Sequence, residues 1–211
     1  MSHDARRLMA IMFTDVVGYS ALMGADEARA LAVLHRQRLL LNDLLAQHHG
    51  TLHKEIGDGT LSSFASAVDA LHCASALQQE INAKETFRLR IGLHVGDVVF
   101  ENDDVFGDGV NIAARLEPLA EPGGVVFSEA FYTAVRSQSE LAVREIGRKR
   151  LKNIAEPIRV YKTGNTAANR SAVSQLFRNR RLRRVLPATL AFLLLATLSF
   201  VFWPQLIHGL R

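Results

Sequence analysis

The chain has 211 residues, of which 48% are hydrophobic, 22% charged and 7% aromatic, and a formal charge of +4. That length allows one ordinary globular domain with a segment to spare, and the composition excludes a disordered tail or a fibre. The basic excess is local: seven arginines and no acidic residue follow residue 165, leaving 18 basic against 21 acidic residues before it. A mildly acidic main body removes the chief support for nucleic acid as a partner. One cysteine, Cys73, excludes an internal disulfide and a zinc knuckle, and its place on a helix predicts core packing.

Leu8–Phe13 is a short apolar run suited to a buried strand. Asp26–His49 reads as a helix with Leu31, Leu34, Leu41 and Leu45 on one stripe, stopped by Gly50. Thr51–Ile56 and Leu61–Phe64 flank Gly57-Asp58-Gly59, which predicts a tight hairpin. Ala67–Asn82 is a second helix with Ala70, Ala74, Leu77 and Ile81 inward. Arg88–Val95 alternates apolar with polar, and Gly96-Asp97 is expected to turn it into a further strand, Val98–Glu101. A short helix over Gly109–Leu119, a strand over Gly124–Phe127 and a helix over Ser128–Val135 follow. Leu141–Ile146 and Ile158–Tyr161 complete the sheet. This order predicts an α+β fold with a mostly antiparallel, ferredoxin-like (split βαβ) sheet and flanking helices.

Residues 164–184 form a polar, then Arg-rich linker, with five arginines between Arg178 and Arg184. Val185–Trp203 is 19 residues without a charge, 15 of them apolar. As a helix it would reach roughly 28 Å, close to the hydrocarbon thickness of a bilayer. The abutting arginines predict a single-pass transmembrane helix over 185–203, with the preceding domain cytoplasmic and 204–211 a short non-cytoplasmic tail. The expected location is therefore the inner (cytoplasmic) membrane.

Two carboxylates occupy places where acids do little for stability. Asp15 follows the first strand and Asp58 sits at the hairpin tip. If those strands are neighbours, the two converge as an oxygen-only donor set suited to Mg²⁺ or Mn²⁺ and phosphate substrates. Alone, Asp58 would be an ordinary turn residue. Asn111 and Arg115 are four apart and share one helix face, where an amide and a guanidinium can hold a ribose or phosphate. Alone, Arg115 would be a surface partner for Glu117. Lys54 and Asp104 offer a donor and an acceptor matched to adenine. His94 is read as solvated or structural, and His48-His49 with His53 is set aside as a metal site.

Three motifs, Phe13-Thr-Asp-Val-Val-Gly-Tyr-Ser20, Lys54-Glu-Ile-Gly-Asp-Gly59 and Asp104-Val-Phe-Gly-Asp-Gly-Val-Asn-Ile-Ala-Ala-Arg-Leu-Glu117, occur in this order. With the closing Leu151–Tyr161 stretch they closely resemble the catalytic domain of class III nucleotidyl cyclases, bacterial branch, over residues 6–163. The resemblance implies an adenylate cyclase that converts ATP to 3′,5′-cyclic AMP and pyrophosphate. It implies two divalent ions, Mg²⁺ or Mn²⁺, held by Asp15, Asp58 and the Val16 carbonyl. Asn111 would position the ribose, Arg115 would stabilise the transition state, and Lys54 and Asp104 would select adenine. Guanylyl cyclases of the family carry Glu and Cys at those two positions. Lys152 aligns with a lysine that contacts the terminal phosphates, although the family's Lys-Gly is here Lys152-Asn153. A homodimer with sites shared between chains is also implied. A guanylate cyclase and a catalytically silent nucleotide-sensing or dimerisation module are the alternatives.

Overall fold

The structure, a computed structural model, describes residues 6–101, 104–137 and 142–163. All elements below belong to one unit within residues 1–169. Strand β1 (Arg6–Val16) leads into two helices, α1 (Tyr19–Ala25) and α2 (Glu27–Gln47). The hairpin β2 (Gly50–Ile56) and β3 (Gly59–Phe64) follows, then α3 (Ala67–Lys84) and the long β4 (Leu89–Glu101). After β5 (Asp104–Phe106), α4 (Asp108–Leu116) runs into a 3₁₀ turn, Glu117–Leu119. The remainder is β6 (Val125–Ser128), α5 (Glu129–Val135), β7 (Val143–Lys149) and β8 (Ile158–Thr163).

The sheet order is β2-β3-β1-β4-β6-β8-β7, with β5 paired to β4. Its β2-β3-β1-β4 portion is wholly antiparallel, and β1 lies between β3 and β4. That is the split βαβ arrangement expected from the element order. Beyond it, β6 pairs parallel to β4, so the sheet as a whole is mixed.

Two layers cover the sheet. On one face, β4 residues Leu89, Ile91 and Leu93 are fully buried, as are Ala70, Ala74, Leu77 and Ile81 of α3, which match the predicted inward stripe. Cys73 is fully buried too, and burial pushes its thiol up to about 12. On the other face α4 packs through Ala113 and Val110 on Ile11, Leu61, Val98 and Val105. Adding a Cβ at Gly92 would bring it to 2.5 Å from the Glu117 nitrogen and 2.6 Å from the Ala113 carbonyl oxygen. Only glycine allows the end of α4 to lie that close to β4.

Four expectations change. β1 runs to Val16, so Asp15 lies within the strand rather than after it. β4 continues through Gly96-Asp97 with no turn, because those residues pair with Met9 and Leu8 of β1. In α2, Leu41 and Leu45 are buried as expected, but Leu31 is half exposed, and Ala30, Val33, Gln37, Arg38 and Leu44 complete the buried face. α1 and β5 are additional to the expected elements. The run 185–203, its arginine-rich approach and the tail lie outside the described residues. Among the described residues no helix is long and apolar enough to cross a membrane.

Candidate active site

Asp15 and Asp58 come together because their strands are neighbours. Thr14 of β1 pairs with Thr60 of β3, which places the β2–β3 tip beside Asp15. The tip is the two-residue turn Gly57-Asp58, closed by the Ile56–Gly59 pair, with Gly57 at φ 60°. The two carboxyl groups lie close enough for each to feel the other's charge. Burial, then the neighbouring Asp58 carboxylate, raise the Asp15 carboxyl to about 6. Arg90, its cross-strand partner, opposes the rise.

A buried polar network fixes the tip from below. Arg38 of α2, 9% exposed, donates from Nη2 to the carbonyl oxygens of Gly57 (3.0 Å) and Gly59 (3.3 Å). Its Nη1 donates to Gln37 Oε1 (2.7 Å), and its Nε lies 3.1 Å from Glu55 Oε1. Gln37 in turn donates to Thr14 Oγ1, which shares a 2.6 Å hydrogen bond with Thr60. The carbonyls flanking Asp58 are thus pinned by one fork. Arg38→Ala strands several of these partners and should cost about 2 kcal/mol of stability, read by urea unfolding. Arg38→Lys, with one ammonium in place of the planar fork, should restore less than half of that loss.

Glu117 joins the carboxylates from the end of α4. It is 8% exposed, and its Oε1 is buried without a hydrogen-bond partner. Burial raises its carboxyl to about 7, the Asp15 charge adds to this, and Arg90 holds it back. Three carboxyl groups therefore gather around one guanidinium, and for Asp15 and Glu117 burial and mutual repulsion outweigh what that single positive charge offsets. Hard oxygen donors with surplus negative charge fit Mg²⁺ or Mn²⁺. Val16, the residue implied to lend a carbonyl, is buried at the end of β1.

The remaining expected residues form two further groups. The Lys54 ammonium donates to the Asp104 carboxylate across β2 and β5 and lies 5.7 Å above the Phe106 ring. The Lys54 hydrogen bond, then the Val105 amide, hold Asp104 below the usual carboxylate range. Asn111 and Arg115 are exposed on the outer face of α4, with no side-chain hydrogen bond or ion pair among the described residues. Arg115 is not Glu117's partner, since one points outward and the other is buried. Lys152 is exposed in the turn between β7 and β8. Asn153 after it has φ 63°, a left-handed conformation that asparagine tolerates almost as glycine does. Lys152-Asn153 therefore preserves the turn a Lys-Gly pair would make. Of the two readings of His94 the structural one holds: it is buried, its Nδ1 shares a 2.7 Å hydrogen bond with Ser128, and burial lowers its pKa to about 4.

Residues 2–163 match the adenylate and guanylate cyclase catalytic domain. The chain belongs to that family. Among curated relatives, a putative adenylate cyclase of Rhizobium meliloti is 41% identical over 164 residues, 74% of this chain and 28% of its own length. An adenylate cyclase of Streptomyces coelicolor is 34% identical over 59% of this chain and 33% of its own. The chain thus spans about a third or less of these relatives. A crystal structure of an adenylate/guanylate cyclase/hydrolase from Silicibacter pomeroyi superposes with a TM-score of 0.70 at 38% identity. It covers 77% of this chain and 99% of that one. The adenylyl cyclase CyaB of P. aeruginosa shares the cyclase fold at a TM-score of 0.70 and 21% identity, covering 78% and 97%.

Proposed function

We propose that the chain is an adenylate cyclase, converting ATP to 3′,5′-cyclic AMP and pyrophosphate. The observation that carries the reading is the Asp15–Asp58 pair, two carboxylates held against each other by a sheet register and a pinned hairpin. Asp15, Asp58 and the Val16 carbonyl would hold two divalent ions. Such ions, when bound, supply Lewis acidity at the ribose 3′-hydroxyl and offset the triphosphate charge.

The protein's own groups do the positioning. The Asn111 amide orients the ribose so that its 3′-oxygen lies in line with the α-phosphorus. That oxygen forms the new P–O bond as the bond to the β-phosphate oxygen breaks, and pyrophosphate leaves with the electron pair. The 3′-hydroxyl proton passes to solvent. The Arg115 guanidinium offsets charge gathering on the α-phosphate oxygens, and Lys152 meets the terminal phosphates. Lys54 donates to an adenine ring nitrogen while Asp104 accepts from its exocyclic amine, which favours ATP over GTP.

Asn111 and Arg115 face outward with no side-chain partner among the described residues, which supports sites shared across a homodimer. Ile56 and Phe106, 50% and 49% exposed beside Asp58 and Lys54, supply apolar surface for it. The reading includes a membrane anchor over 185–203 that keeps the catalytic body cytoplasmic. Product detection with Mg²⁺ or Mn²⁺, wild type beside Asp58→Ala, tests the activity. Wild type should form cyclic AMP from ATP in preference to cyclic GMP from GTP, and Asp58→Ala should fall at least about a hundredfold. Nucleotide binding without any cyclic product would sink the reading.

A further inference from the structure

The fold assembles a second constellation that the catalytic reading leaves unused. His48 caps the C-terminus of α2, while Asp69 and His72 lie three apart near the start of α3. Each offers one ligand atom, and all three atoms lie within 4.8 Å of one another. The His48 and His72 rings are 6.2 Å apart and tilted by 58°. The sequence could not bring them together, since 21 to 24 residues and the β2–β3 hairpin separate His48 from the other two.

We propose that His48, Asp69 and His72 bind a divalent transition-metal ion, distinct from the catalytic pair, that staples the end of α2 to the first turns of α3. Two imidazoles and a carboxylate suit Zn²⁺ and its neighbours in preference to Mg²⁺, which demands oxygen. Metal–ligand bonds of about 2.0–2.2 Å put the donors of a tetrahedral site roughly 3.4 Å apart, so the cluster needs to close by about an ångström. His48 is buried, while Asp69 and His72 are half-buried and so within reach of an entering ion. The fourth position falls to water. The α2 C-terminus, which ends at His48 and whose last turn carries no lysine or arginine, favours a cation, while the N-terminus of α3 near Asp69 opposes it in part.

This site is well separated from Asp58. His48 precedes β2 and Asp58 follows it, so the strand alone holds them roughly 20 Å apart. α2 and α3 also cover the sheet face opposite α4. Occupancy should therefore stabilise the fold without supplying a catalytic ion.

The experiment uses the untagged full chain, stripped with chelator and kept in excess Mg²⁺ so that hard-ion sites are filled. Zinc titration by calorimetry should give one ion per chain, and saturation at about a hundred times Kd should raise Tm by about 5 °C or more. Co²⁺ in its place should give visible d–d absorption. Asp58→Asn should retain all three signals. His72→Ala and Asp69→Asn, both half-buried and helix-compatible, should each weaken binding by about a hundredfold and lose the Tm shift. No zinc binding by wild type, binding that survives in both of these variants, or binding lost in Asp58→Asn would overturn the proposal. The last outcome would assign the zinc to the catalytic carboxylates. The test does not depend on cyclase activity, so either reading can fail alone.

Discussion

Mixed in equal amounts, Asp15→Ala and Arg115→Ala chains should recover about a quarter of the wild-type specific activity, although each alone keeps about a hundredth or less. The fraction follows from counting. Random exchange makes half of the dimers mixed, and in a mixed dimer one of two shared sites has both an intact carboxylate pair and an intact guanidinium. The structural basis is that the carboxylates are held together inside one chain, whereas Arg115 projects outward from α4 without a partner among the described residues. A control sharpens the result. Asp15→Ala mixed with Asp58→Ala should recover nothing, because both residues serve the same half-site and neither site of the mixed dimer is whole. Recovery in the control, or none in the first mixture under conditions that exchange subunits, would remove the shared-site arrangement.

The parts of this site that could be read from the sequence are those whose residues lie close together along the chain. Asn111 and Arg115 share a face because a helix puts i and i+4 together, and Asp58 sits at a tip because Gly-Asp-Gly turns. The meeting of Asp15 with Asp58 follows once the two strands are neighbours. Hidden were the groups whose partners come from elsewhere. Arg38 and Gln37 sit in a helix whose leucines suggest a different buried face, and only the hairpin beneath which they pack makes their burial favourable. Glu117 reads as a surface partner for Arg115 until the 3₁₀ turn at Glu117–Leu119 carries it under α4 toward Arg90 and Asp15. Gly96-Asp97 has the composition of a turn, yet the ladder with β1 overrides that local preference. Its pairing partners lie some 90 residues away, beyond the reach of any local pattern.

Replacing the base-selecting pair should reverse nucleotide preference, and the single changes should fail in different ways. In Lys54→Glu with Asp104→Cys, kcat/KM for ATP should fall by about a hundredfold to a thousandfold while that for GTP rises. Adenine offers a ring acceptor to Lys54 and an amine donor to Asp104, whereas guanine presents a ring N–H and a carbonyl at the corresponding edge. The wild-type pair is built as one unit. Lys54 donates to Asp104, and this bond is the first cause of the lowered Asp104 pKa. Lys54→Glu alone therefore sets two carboxylates face to face beside Phe106, and it should impair both substrates more than the double change does. Asp104→Cys alone leaves an ammonium without its anion, able to meet adenine's ring nitrogen but not to hold its amine. The expected signature is strong non-additivity: the two single losses, multiplied, exceed the loss in the double variant. Steady-state kinetics of the four chains with both nucleotides gives the cycle directly. An ATP-to-GTP ratio that stays the same in all four would show that Lys54 and Asp104 do not read the base.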